Sequence, residues 1–285
     1  NVPPEEIKSE FLAGRFSLAS DLLPADTAAL RQDPRFRTSY RESPSLVTYL
    51  VAFNTRRGIF ADAGTRREVA AGIDTANIVR RTLGRHALPA NGLIPPGLLG
   101  YVSTPRPRPP VSMQISGAHT VSRETVEVTA VANPIMFGEF ADLTKELFAA
   151  FRAMGYAVRI VNKTMKEFLD AQADAPTDLT IGRWVGDYPD ADTFVQGVLN
   201  SREGVYGRYC STPEIDVLGQ RGRSEIDPRA RESIYRQVED LVARDALMLP
   251  LFHEQVYRFA RPEVEGLTVG FSQPVVAYEN LAIRG

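Results

Sequence analysis

The chain has 285 residues, a formal net charge of −2, and 44% hydrophobic against 24% charged residues. That balance belongs to a folded globular chain, long enough for one large domain or two of roughly 150 residues each. Near-neutrality gives no general pull toward nucleic acid or an anionic membrane. No apolar run approaches the ~18 residues of a membrane-spanning helix. The single cysteine, Cys210, excludes an internal disulfide and reads as a small, partly buried hydrophobe. His86, His119 and His253 have no metal-type spacing and no signature tying them to that thiol. The opening residues 1–6 are polar and carry no export-signal pattern.

In chain order, residues 5–12 and 26–30 read as short helices, and residues 46–53 as an apolar strand ending at Asn54. Thr65-Arg66-Arg67-Glu68 has the capping-box pattern. Val69, Ile73, Val79 and Leu83 then predict one helix face, with Gly84 as its stop. A Pro/Gly-rich loop spans residues 88–101, and residues 105–110 predict a stiff, polyproline-like connector. Alternation over residues 126–132 predicts a strand with one buried face. Phe140, Leu143, Leu147, Phe151 and Met154 mark the next helix, stopped by Gly155. Residues 156–161 form a second strand, Thr164-Met165-Lys166-Glu167 a capping box, and residues 178–184 a third strand. The β-α-β-α-β order predicts right-handed crossovers and largely parallel pairing, hence an α/β fold. Beyond it, Asp227-Pro228 caps a helix with Ile234, Val238, Leu241 and Val242 inward. Residues 247–252 are an apolar segment that residues 255–259 continue as a strand.

The run Arg183-Trp184-Val185-Gly186-Asp187-Tyr188-Pro189-Asp190 leaves the third strand at its carboxyl end. Ligands of open α/β sheets lie outside such ends. Trp184, Asp187 and Tyr188 are therefore the candidate ligand-binding residues. An indole wall and one carboxylate suit a small molecule bearing a positive amine, with cation–π attraction of ~0.5–2 kcal/mol where water is excluded. Against this stand blander roles: Trp184 as packing, and Asp187 as organiser of its own turn. Asp187, Asp190 and Asp192 lack the central Gly and distal Glu of a calcium loop. No nucleophile elbow, phosphate-cradling Gly loop or His-Glu-x-x-His motif is present, which argues against an enzyme and for no cofactor and no metal.

Several of these segments together resemble one family. They are Tyr49-Leu50-Val51-Ala52-Phe53-Asn54-Thr55, the run from Arg66 to Ile73-Asp74, Ile94-Pro95-Pro96-Gly97 with Gly100-Tyr101, and Trp184 to Asp190. Glu214-Ile215-Asp216, Arg231, Tyr235 and Leu249-Pro250-Leu251 complete the series. The chain resembles the C-terminal portion of the extracytoplasmic solute-binding proteins of ABC transporters, the peptide/nickel/oligopeptide-binding family 5. It departs from that pattern at Asp74-Thr75, where the family has Asp-Arg, and at the proline-rich connector. The resemblance implies a periplasmic-binding-protein-like second lobe, a mixed, largely parallel sheet flanked by helices, plus segments returning to the first lobe. It divides the chain into residues 1–50 (partial first lobe), 51–255 (second lobe) and 256–285 (return segment). It assigns Asp187 to the ligand's free amino group, with Trp184 and Tyr188 beside it. Trp184 and Asp187 are expected on an open concave face beside residues near Asn54; Arg56 and Arg57 fall near the expected hinge and read as two exposed arginines rather than as partners of a ligand carboxylate.

The same resemblance implies non-catalytic binding of a peptide or other amine-bearing solute in an inter-lobe cleft. The solute is then delivered to an ABC-transporter permease in the membrane, with a periplasmic or extracytoplasmic location, no nucleic acid, and a monomer when full length. The alternative is a ligand-sensing domain of a signalling receptor or regulator with the same fold.

Overall fold

A computed structural model describes residues 2–105 and 125–284. It opens with α1 (Pro4–Leu12), β1 (Leu18–Ala19) and α2 (Pro24–Gln32); both helices start on a proline, whose missing N–H costs nothing in a first turn. β2 (Tyr40–Phe53) follows, and its last nine residues are all buried. Such a run belongs to a strand covered on both faces.

The single helix expected after Thr65 is two. Asp62, not Thr65, caps α3 (Ala63–Gly72), its carboxylate accepting from the Thr65 N–H at 2.6 Å. The chain leaves the helix at Ile73, and Asp74 caps α4 (Thr75–Thr82) by accepting from the Asn77 N–H. β3 (Ala87–Pro89) comes next. Apart from Pro105, the expected polyproline connector lies outside the described residues, as does His119.

The β-α-β-α-β unit is present as β4 (Val126–Ala132), α5 (Ala141–Ala153), β5 (Tyr156–Ile160), α6 (Met165–Asp174) and β6 (Leu179–Val185). Gly155 takes φ +90° after α5, the left-handed stop that glycine tolerates. The capping box of α6 is complete: Thr164 accepts from the Glu167 N–H, and the Glu167 carboxylate accepts from the Thr164 N–H. Then come α7 (Asp192–Phe194), which runs into one π-turn (Val195–Leu199), α8 (Gly207–Cys210), α9 (Pro213–Ser224) and α10 (Pro228–Arg244). Asp227 caps α10 as expected. The two apolar segments near the end are one continuous strand, β7 (Met248–Ala260), and a small ladder pairs β8 (Val264–Glu265) with β9 (Ala282–Ile283).

The main sheet has the order β1-β7-β2-β6-β4-β5, with β3 also on β7. Parallel pairing is confined to the β-α-β-α-β unit, where β4 lies between β5 and β6; the other ladders are antiparallel. Alternation along β2 feeds two cores. Tyr49, Val51 and Phe53 join a cluster with Phe60, Leu143, Leu147 and Phe151, whereas Leu50 and Ala52 join one with Phe194, Tyr206, Tyr235 and Val238. Tyr49 stacks on Phe252 at 4.2 Å in the first core.

A third cluster is separate. Phe11, Leu22, Leu30 and Phe36 pack on Tyr257 and Phe259, at the ends of β2 and β7 far from the parallel unit. Between the two parts the β2–β7 ladder loses register: Pro44 pairs with Gln255 but Thr48 pairs with His253, so β2 carries two extra residues there. Such a bulge bends and twists a ladder.

The topology also defines a crevice. After β4 the chain turns to α5, whose Leu143, Leu147 and Phe151 lie in the first core. After β6 it turns to Phe194 and Val195, in the second core. Neighbouring parallel strands whose carboxyl ends lead to opposite faces leave a gap between their loops, the usual ligand position in open α/β sheets.

Candidate functional site

Trp184 and Val185 end β6, paired with Thr48 and Val47 of β2, and the Gly186 N–H donates to the Leu46 carbonyl at 2.7 Å. The loop is thus pinned beside the β2 bulge. Gly186 is hemmed in by Leu46, Thr193 and Phe194, so the turn leaves β6 through a space with no room for a side chain. Trp184 is half-buried against the second core, with its Nε1–H buried and without a hydrogen-bond partner.

The three acidic residues of the loop are used differently. Asp190 takes a bidentate guanidinium from Arg231 of α10, at 2.6 and 2.8 Å, and also accepts from the Asp192 N–H. That charge-assisted pairing raises the Arg231 pKa, against the opposing effect of burial. Asp192 is buried, accepts from the Tyr188 hydroxyl at 2.8 Å, and lies 3.7 Å from Arg223 of α9. Asp187 is different: its backbone N–H donates to Thr193 Oγ1, but its exposed carboxylate has no partner among the described residues. Tyr188 is 44% exposed, and its hydroxyl pKa is pushed up to about 12 by burial and by the Asp192 carboxylate. It stays a neutral hydrogen-bonding phenol throughout the physiological range.

The predicted trio is therefore delivered by one loop, yet it does not line either of two concavities formed by the described residues. One, of about 700 Å³, is floored by Ala70, Leu88, Met248 and Leu249 and rimmed by Arg80 and Arg244. The other, of about 520 Å³, lies among Asn54, Arg56, Arg57, Asp174 and Arg208. The expectation that residues near Asn54 lie beside Trp184 and Asp187 is wrong, whereas Arg56 and Arg57 are exposed, as expected. β2 runs antiparallel to β6, so Asn54 meets Asp178, at the start of β6. Six residues of strand, about 20 Å, separate Asp178 from Trp184. The residues of β2 beside the platform are 44–48 instead. Arg56 is exposed and donates to the Arg208 carbonyl at 2.9 Å.

The calcium reading of the loop gains nothing: no group of three or more His, Cys, Asp or Glu side chains able to hold a metal occurs among the described residues. Cys210 is fully rather than partly buried, and burial pushes its thiol pKa up to about 12. It is an inert core residue. Sequence reasoning missed the clamping role of Arg231 and Arg223, which sit 41 and 31 positions from their aspartates. It also missed Gly197 of the π-turn, which abuts the indole.

The loop at the carboxyl end of β6 thus carries one exposed, unpaired carboxylate and two aromatic residues. The model of bacterial extracellular solute-binding proteins, family 5 (middle), matches residues 3–205, and the chain belongs to that family. Di/tripeptide-binding protein 2 of Pseudomonas aeruginosa is 26% identical over 253 residues, covering 85% of this chain and 47% of that protein. The periplasmic murein peptide-binding protein MppA of Escherichia coli is 23% identical over 81% of this chain and 44% of its own. The chain thus spans about half the length of the curated relatives it matches. Among solved structures, the unliganded open form of the MppA murein tripeptide-binding protein superimposes with a TM-score of 0.79 at 21% identity, over 98% of this chain and 55% of that one. NikA from Brucella suis, in complex with Fe(III)-EDTA, gives 0.80 at 17% identity, over 99% and 60%. The fold is that of these periplasmic binding proteins.

Proposed function

We propose that the chain supplies one wall of a cleft that binds a peptide or other amine-bearing small solute without transforming it. The solute is then passed to an ABC-transporter permease from an extracytoplasmic location. The observation that carries this reading is the state of Asp187. Asp190 and Asp192 are consumed by arginines and the Tyr188 hydroxyl, and Asp187 alone of the three is left with an unpaired carboxylate. An unpaired carboxylate pairs with an ammonium by a charge-assisted hydrogen bond. The peptide-binding names of the relatives support the same solute class.

The packing supports a lobe boundary at the β2 bulge rather than at residue 50. Phe11, Leu30, Phe36, Tyr257 and Phe259 form the local core of the first lobe, whereas Leu46, Val47, Tyr49 and Leu50, inside the expected 1–50 segment, pack in the two cores of the second lobe. The bulged crossing at Pro44–Thr48 and His253–Gln255 is the hinge. A ligand touching both lobes shifts the population toward the closed form by its differential affinity for it.

The test is a titration of the 285-residue chain with di- and tripeptides carrying either free or acetylated amino termini, followed through the sole tryptophan, Trp184. Free-amine peptides bind more tightly, and Asp187→Asn erases the difference. Measurable and equal affinities for the two peptide sets in the unmodified chain sink the proposal.

A further inference from the structure

Gly197 lies in the middle of the π-turn, directly against the face of the second core that holds Trp184. A Cβ placed on Gly197 would overlap the indole's Cζ2 and fall 3.0 Å from both Cε2 and Cη2. The turn is held by its neighbours. α9 packs against it: a Cβ on Gly219 would fall 2.6 Å from Gln196 Nε2 and 3.2 Å from Val195 Cγ1. Its carbonyl is tied as well, accepting from the Val205 N–H at 2.8 Å. Trp184, in contrast, is only partly buried, so one edge of it borders solvent. A side chain at 197 therefore displaces the indole and leaves the backbone in place. π-turns are single-residue widenings of a helix that concentrate at functional sites.

We propose that Gly197 is the positioning residue of the indole wall: the absence of a side chain there sets how deeply Trp184 lies against the lobe, and so tunes the grip on an amine-bearing solute. The inference rests on the reading of Trp184 and Asp187 as solute contacts, but its first consequence does not need a ligand. In Gly197→Ala the indole stands further into solvent, so Trp184 emission shifts to the red and acrylamide quenches it faster. Gly270→Ala, where an added Cβ meets nothing within 4 Å, leaves both signals unchanged.

Affinity for free-amine peptides falls about ten-fold in Gly197→Ala, the factor that accompanies a loss of about 1.4 kcal/mol. In a Trp184→Ala background the same substitution has no further effect, since it acts through the indole. Should Gly197→Ala fail to fold, Trp184→Phe restores folding, because the smaller ring lacks the atoms that collide. Unchanged emission and quenching in a folded Gly197→Ala overturn the inference. So does a Gly197→Ala chain that Trp184→Phe cannot rescue, which would mean that the turn itself needs glycine. An indole that moves without altering free-amine affinity leaves the positioning intact and instead removes Trp184 from the solute contacts.

Discussion

The two ends of β6 carry similar chemistry to opposite purposes. At its start, Asp178 accepts from the Thr129 N–H and hydroxyl at 2.8 and 2.7 Å, while Asn54 donates to the Ala175 and Thr177 carbonyls and accepts from the Arg56 N–H. These side chains direct their hydrogen-bonding capacity to the backbone and its neighbours. At the other end Asp187 is unpaired. Of the five buried side-chain polar atoms without a partner among the described residues, three, on Trp184, Asp192 and Ser45, lie on the loop or the β2 bulge beside it, a fourth is His253 Nε2, and the fifth, Thr180 Oγ1, lies near the start of β6. Unmet hydrogen bonds cost about 1–3 kcal/mol each when buried. The contrast between the two ends is therefore one of carboxylates: Asp178 is bonded internally, and Asp187 has no partner among the described residues.

The comparison breaks most visibly at its two aspartates. Asp187→Asn removes a full charge from the platform; the free-amine preference, worth about 1.5–3 kcal/mol for a hydrogen bond to a charged group, disappears. Thermal stability barely changes, because no internal contact is lost. Asp178→Ala does the reverse. It strips two donors on Thr129 of their acceptor and costs about 1–3 kcal/mol of stability by chemical denaturation, with peptide discrimination intact. If Asp178→Ala proved neutral and Asp187→Asn destabilising, the roles assigned to the two ends would be exchanged.

How much of this is legible in the sequence depends on the range of each interaction. The capping box at Thr164 is readable because cap and partner are three residues apart. The one at Thr65 misleads, because Asp62 occupies the cap and a continuing apolar pattern hides the break at Ile73. Trp184, Asp187 and Tyr188 stand out because one loop carries them all. Their relation to Asn54 does not, since the direction in which β2 meets β6 is a tertiary fact with no local signature. The same holds for Arg231: nothing near Asp190 announces a partner one long helix away.

The bulged β2–β7 crossing gives a smaller and pH-dependent effect. His253 is fully buried, with Nδ1 2.9 Å from the Thr48 hydroxyl. That hydroxyl donates to the Leu93 carbonyl, so Nδ1 carries the proton given to it and Nε2 has an unshared lone pair. Burial lowers the imidazole pKa from 6.5 to about 3. The unfolded chain therefore takes up a proton that the folded chain refuses, and stability falls as pH drops from about 6.5 toward 3, by at most about 1.4 kcal/mol per unit from this residue. His253→Asn, whose amide can still donate to Thr48, flattens the slope of unfolding free energy between pH 5 and 6.5. An unchanged slope would place the sensitivity elsewhere, on His86 for example, whose pKa burial also lowers.

Tyr188→Phe asks the gentlest question of the platform. The change deletes the hydroxyl that donates to Asp192 and keeps the ring. Because the phenol is 44% exposed, water can replace the lost bond at one of the Asp192 oxygens, and the stability loss stays at about 0.5–1 kcal/mol. Arg231 still holds Asp190, so the loop keeps its course. If the ring alone faces the solute, peptide affinity is unaltered in Tyr188→Phe and weakened in Tyr188→Ala. If the hydroxyl itself contacts the solute, both variants weaken binding alike. Calorimetric unfolding and the Trp184 titration on the same two variants separate the scaffold role of this residue from its contact with the ligand.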